Sequence, residues 1–228
     1  MDLPDYWLVR PRVELDEATG RAFDRLIEVA SAASGCTTIE YNLAAPKWLF
    51  LCYAAERHDL VLHGSGNPEI GEFEPRQSND LREFGNQKAV YAASDGVWAM
   101  FFAIADRDRY AMSVTNACVD LVEESGARQG PYYVFSVSRW ALPSQPWRTG
   151  TVYLLPRATF VPQEPMPFGT SEVHFAQLAS AVSVAPLAKL TVGPEDFPFL
   201  GAIRGHEDHR LAEYAAALEA GAPWPEAE

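Results

Sequence analysis

The segment from 45 to 107 constrains the fold most. A short apolar run, Leu60-Val61-Leu62, breaks at His63-Gly64-Ser65-Gly66-Asn67-Pro68. A second run, Lys88 to Ala92, leads into Ser94-Asp95-Gly96, and then Val97, Met100, Phe101 and Ile104 recur at helical spacing. Short apolar runs bounded by glycine turns predict buried strands. Ser or Asp directly before a helical apolar pattern predicts an N-cap. Upstream, Pro46 suits the first turn of a helix whose apolar side is Trp48, Leu49, Leu51, Cys52 and Ala55. The order helix, strand, glycine loop, strand, capped helix excludes an all-α or all-β chain.

The flanks extend this α+β pattern. Phe23, Leu26, Ile27 and Ala30 predict a helix within 14–33, ended by Gly35. Residues 1–13, with Trp7, Leu8 and Val9, predict a short edge strand, and 69–86 a surface loop. Tyr132 to Val137, Thr151 to Leu155 and Leu187 to Val192 predict strands, with one more between Val173 and Val184. A helix is expected from Glu207 to Glu219, followed by a frayed tail from Trp224, and Pro194 to Leu200 is expected to pack that helix. With 228 residues, no repeat and no linker, one domain is expected over 1–228, residues 1–44 being an N-terminal helical extension.

Composition narrows the function. Hydrophobic residues at 48% and charged residues at 21% are ordinary for a globular chain. No apolar run approaches the roughly 18 residues of a membrane span, and the N-terminus lacks a basic-then-apolar signal, so a cytoplasmic protein without membrane partners is expected. The net charge of −13 disfavours nucleic acid as a partner. Cys36, Cys52 and Cys118 are odd in number and lack a C-x-x-C pair, which fits buried reduced thiols. His206-Glu207-Asp208-His209 is taken as the polar first turn of a helix, so no metal is expected. Neither a P-loop nor a G-x-G-x-x-G is present, and Gly64-Ser65-Gly66 lacks the spacing of a hydrolase elbow.

Taken together, Leu62-His63-Gly64-Ser65, then Val90-Tyr91-Ala92, then Ala99-Met100-Phe101 resemble the ADP-ribosyltransferase superfamily, in the branch related to poly-ADP-ribose polymerases. The resemblance covers about residues 45–107. It implies a split β core of ADP-ribosyltransferase type with flanking helices, and NAD as the substrate. It also implies roles: His63 bonds a ribose hydroxyl, Gly64 and Ser65 lie where backbone approaches the nicotinamide amide, and Tyr91, beside Ala92, and Phe101 supply two aromatic faces. These residue types suit a flat ring bearing an amide. The reaction implied is loss of nicotinamide and transfer of ADP-ribose to an acceptor that the sequence does not name.

The chain departs from the family at two places. The glutamate of the third motif aligns with Gln177, Glu172 being the nearest carboxylate. A carboxylate stabilises the cationic sugar of the transition state; an amide accepts the same hydrogen bond without the charge. Trp98 stands where relatives carry a serine. Two alternatives to an NAD-dependent transferase therefore stay open: a catalytically impaired protein that binds a nucleotide or ADP-ribose, and an enzyme resembling RNA 2′-phosphotransferases. Arg76 is a cation near the loop that could meet a diphosphate.

Overall fold

The computed structural model describes residues 4–78 and 83–226. The early elements are β1 (Leu8–Val9), α1 (Glu17–Ala32), β2 (Thr37–Thr38), α2 (Lys47–Arg57), β3 (Leu60–Ser65), β4 (Arg76–Gln77), β5 (Lys88–Ala93) and α3 (Gly96–Ile104). They are followed by β6 (Val114–Glu123), β7 (Arg128–Ser138), β8 (Gly150–Pro156), β9 (Val161–Pro162), β10 (Met166–Phe168), β11 (Ser171–Phe175), β12 (Gln177–Ser180), β13 (Ala188–Val192), β14 (Arg204–His206) and α4 (Leu211–Ala220). Short 3-10 turns join several of them. The expected loop over 69–86 holds β4 and a 3-10 turn at Phe84–Asn86; its residues 79–82 lie outside the described residues.

The strands form two mostly antiparallel sheets. The first runs β1-β7-β6-β11-β10, with β14 parallel to β7; the second runs β2-β13-β8-β3-β5-β12-β9, with β4 on β5. The chain is thus of mixed α+β class. α3 lies between the sheets: Ala99 and Ala103 face β3, while the Phe101 ring meets Phe135 of β7 at 4.8 Å. Eight of its nine residues are buried, so the helix is apolar all round, as an interior helix must be. Asp95 caps it, accepting from the Trp98 N–H at 2.8 Å.

One core cluster joins α1, α2 and α3 to residues of both sheets, from Phe23 and Phe50 to Leu62, Phe135 and Leu190. A second, smaller cluster covers the opposite face of the second sheet: Val61, Phe73, Val90, Ala92, Tyr153 and Leu178 among others. The segment 66–77 closes that face, pinned by the Phe73–Val184 bridge and by Tyr153, whose hydroxyl donates to the Asn67 carbonyl at 2.7 Å and accepts from the Ile70 N–H at 3.0 Å.

Several expectations change. Residues 4–44 are stitched into both sheets rather than appended, β1 pairing with β7 and β2 with β13. The single strand expected at 173–184 is two: β11 belongs to the first sheet, and the chain crosses at Ala176 to become β12 of the second. Strand β6 was not anticipated, because Asn116, Asp120 and a bulge between Val119 and Leu121 break its alternation. Phe197 and Phe199 pack on Phe135 at 5.1 and 6.1 Å, filling the central core beside α3 instead of the C-terminal helix. The Trp224 side chain is packed rather than frayed, with its ring 4.7 Å from Tyr214 and 5.5 Å from Tyr6.

Candidate functional site

The second sheet has a split. β3 pairs with β8 along its whole length, Leu60 to Ser65, but meets β5 at one register only, Leu62 opposite Ala93. Beyond that pair a side chain replaces the ladder. His63 Nδ1 lies 2.7 Å from the carbonyl oxygen of Tyr91, and because a carbonyl only accepts, Nδ1 carries the proton. Burial holds the imidazole below its ordinary pKa, opposed by the Tyr91 carbonyl. The ring is therefore neutral at pH 7 and its Nε2 is an acceptor. The resemblance has His63 bonding a ribose hydroxyl; the geometry commits its Nδ1 proton to the Tyr91 carbonyl and leaves an acceptor. Phe73 lies against the ring at 4.6 Å.

Strand alternation sorts the neighbours by face. Leu60, Leu62 and Ala93 belong to the core around α3, whereas Val61, Val90, Ala92 and Leu178 belong to the second cluster. His63, packed on Phe73, is on the second face. Gly64 is on the α3 face, where a Cβ would overlap the carbonyl oxygen of Ala99. Its missing side chain thus lets helix and strand backbones touch, a use the sequence reading assigned to ligand approach. Tyr91 alternates with Ala92 and so shares the α3 face. Gln177 does too, standing opposite Ala93. Ser65 is half-buried and its Oγ accepts from the Asn67 N–H at 3.1 Å, fixing the turn. The Tyr91 hydroxyl accepts from the Gln87 N–H at 2.9 Å and donates toward the Phe84 carbonyl at 3.0 Å, anchoring the turn before β5.

Phe101 does not join this set. It is fully buried, between Phe135 and Phe197 at 4.8 and 6.2 Å, so both faces of the ring serve the core. Its neighbour Phe102 is half-buried and lies edge-on to Trp98 at 5.8 Å. On a helix, residues 98 and 102 share one side, adjacent to the side of Ala99 and Ala103 that meets β3. Phe102, unlike Phe101, thus keeps part of its ring outside the core. The signal was available: Ala99 and Ala103, small residues four apart, mark the side against the strand, and Trp98 with Phe102 mark the side next to it. Trp98 is pinned by its indole N–H to the Asn116 side-chain oxygen of β6 at 2.6 Å.

The two candidate acids separate. Glu172 is on β11 of the first sheet, opposite Val122, exposed, and 3.2 Å from His174 Nε2. Gln177 opens β12 of the second sheet, half-buried, with Ala93 and then Leu62 beside it in register. The register therefore gives Gln177, and not Glu172, to the sheet that carries His63, although Gln177 leaves that sheet on the other face. Arg76 of β4 stands opposite Ala89 and so shares the Tyr91 face; it is exposed. Among the described residues no cluster of three or more His, Cys, Asp or Glu side chains is placed to hold a metal ion, and no helix is long and apolar enough to cross a membrane.

The class that fold and site define is an α+β protein of two mostly antiparallel sheets around a buried helix, with a split in one sheet spanned by a histidine. No family model, curated protein or solved structure matches the chain.

Proposed function

We propose that this chain binds NAD or ADP-ribose on the ADP-ribosyltransferase plan, at the split between β3 and β5, without transferring ADP-ribose. The observation that carries this reading is the register Gln177–Ala93–Leu62, which puts an amide across from the split while Glu172 stands in the other sheet. Tyr91 and Phe102 offer rings to a flat base. The Gln177 amide, on the same face as Tyr91, offers hydrogen bonds to ribose, while His63, on the opposite face, clasps the split. Arg76, whose guanidinium has no salt bridge among the described residues, offers a bidentate partner for the diphosphate.

The residues fit a bound nucleotide better than the reaction. Breaking the bond to nicotinamide develops positive charge on the sugar, and loss of one preorganised electrostatic partner costs about 3–4 kcal/mol of barrier. An amide at 177 leaves that charge unopposed. The phosphotransferase alternative draws less support, because it needs several cations and Arg76 is the one residue of that kind assigned above to the Tyr91 face.

Isothermal titration with NAD and with ADP-ribose, paired with an assay for free nicotinamide, tests the proposal. Saturable binding without nicotinamide release is the expected result. Release at a catalytic rate would restore the transferase, and absence of binding to both ligands would remove the nucleotide site.

A further inference from the structure

The first sheet carries a polar cluster that the nucleotide site does not use. It joins Ser113, before β6, to Ser136 and Ser138 of β7, His206 of β14 and Asp208 just beyond it. His206 is fully buried. Its Nδ1 lies 2.7 Å from Ser136 Oγ and its Nε2 2.6 Å from Ser113 Oγ. Asp208 Oδ1 accepts from Ser113 at 2.5 Å and from Ser138 at 2.6 Å, and its Oδ2 accepts from the Trp140 indole at 3.1 Å.

The carboxylate orders every proton in this cluster. It can only accept, so Ser113 and Ser138 give their hydroxyl protons to Asp208. Ser113 then has none left for His206, and Nε2–H must donate to Ser113 Oγ. That leaves Nδ1 as an acceptor, filled by the hydroxyl proton of Ser136. One neutral tautomer satisfies every bond to the imidazole and the carboxylate.

A second proton has no room. It would enter at Nδ1, facing the hydroxyl hydrogen of Ser136. Ser136 is fully buried and among the described residues its hydroxyl has no other partner, so turning it away strands a buried donor. The charged groups around the ring are Asp208, with Oδ1 3.6 Å from Nε2, Glu207 and Arg139. From α4 the ring meets Tyr214, at 5.8 Å. The two acids favour the charged ring and Arg139 opposes it. Burial outweighs them and holds His206 below its ordinary pKa.

We propose that His206 is an acid-sensitive latch that holds the C-terminal segment, β14 through α4, on the edge of β7. The pairing it guards is short, Arg204 to His206 alongside Ser136 to Ser138. Beyond it α4 is tied down through the Glu207 N–H to the Tyr214 hydroxyl at 3.4 Å, and through the Tyr6 hydroxyl to the Ala222 carbonyl at 2.8 Å. Protonation reverses the Ser136 bond and strands its buried hydroxyl proton at the root of the segment, and release uncovers the edge of β7. Because the folded-state pKa is depressed, the latch is fully held above the ordinary histidine value of about 6.5 and weakens as pH falls below it.

Hydrogen exchange of peptides spanning 203–222, corrected for intrinsic rates, is compared at pH 7.5 and 5.5, alongside NMR titration of the His206 ring proton. The expected result is about a tenfold loss of protection confined to this segment, setting in below about pH 6.5 and ending at the lower midpoint of the ring titration. In His206→Gln, which keeps a donor toward Ser113 but cannot titrate, the step should vanish. Unchanged protection, an equal loss across β3 and β5, or a step that survives in His206→Gln would overturn the proposal. If that variant does not fold, a loss in the wild-type protein that sets in only below the ring midpoint overturns it.

Discussion

His63 Nδ1 donates to the carbonyl oxygen of Tyr91 across 2.7 Å, at the point where β3 and β5 cease to pair. The side chain does the work of a missing ladder bond and leaves Nε2 as the acceptor. A residue that reads in sequence as a ligand contact is the clasp of the split sheet.

That clasp predicts a stability cost with a defined pH dependence. His63→Ala should destabilise the fold by about 1–3 kcal/mol, the cost of stranding a buried acceptor. Burial lowers the folded-state pKa of His63, so its contribution is complete above the unfolded value of about 6.5 and declines as pH falls below it. Urea unfolding at pH 7.5 and 5.5 should show a smaller pH difference in His63→Gln than in the wild-type protein. An unchanged difference would mean that the imidazole is not held neutral.

Gly64 should tolerate no side chain. A Cβ there would overlap the backbone of Ala99, and backbone cannot swing aside as a side chain can. Gly64→Ala should therefore cost about 3 kcal/mol or more, at the upper end of overpacking penalties, read as a fall in the urea midpoint. A loss under about 1 kcal/mol would show that α3 can lift from β3 at little cost.

The adjacent phenylalanines of α3 should separate stability from binding. Phe101→Ala removes a fully buried ring and should cost about 3–5 kcal/mol. Phe102→Ala should cost markedly less and weaken nucleotide binding. Thermal unfolding and ligand titration on both variants check the pair; equal effects would place both rings in the core.

Arg10 binds Asp95 at 2.5 Å, while the Tyr133 hydroxyl donates to the same Asp95 oxygen at 2.8 Å. Asp95 is 3% exposed and caps α3. Arg10→Ala leaves that buried carboxylate without its countercharge, and breaking a buried pair in this way costs about 3–5 kcal/mol. Glu56→Gln removes only the charge of the other acid paired with Arg10, an acid 51% exposed, and should cost less than about 1 kcal/mol. Chemical denaturation of the two variants gives the contrast, and comparable losses would contradict it.

Local signals made the helices legible. Phe23, Ile27 and Ala30 recur at helical spacing, and all three are buried on α1; Asp95 was placed as a cap and is one. β3, β5, β7, β8 and β13 followed from apolar runs. What sequence did not reveal depends on contacts far along the chain. Ala176 is an ordinary alanine, yet its N–H bonds the Cys118 carbonyl at 3.0 Å while its own carbonyl accepts from the Ser94 N–H at 2.8 Å, and between those bonds the strand changes sheets. That crossing separates Glu172 from Gln177. Phe101 and Phe102 likewise differ by one step of the helix, which periodicity resolves only once the side against β3 is known. The serines around His206 are scattered over positions 113, 136 and 138, with no spacing that marks them as one cluster.

The central claim is that a nucleotide binds at the split and that position 177 withholds the charge needed for transfer. Nicotinamide release from NAD, measured for the wild-type protein and for Gln177→Glu, tests it most directly. The account predicts no release above background from the wild-type protein and measurable turnover from the variant, because a carboxylate attracts the cationic sugar where an amide does not. Turnover by the wild-type protein that Gln177→Glu leaves unchanged and Glu172→Gln abolishes would contradict it, and would put the acid on the first sheet after all.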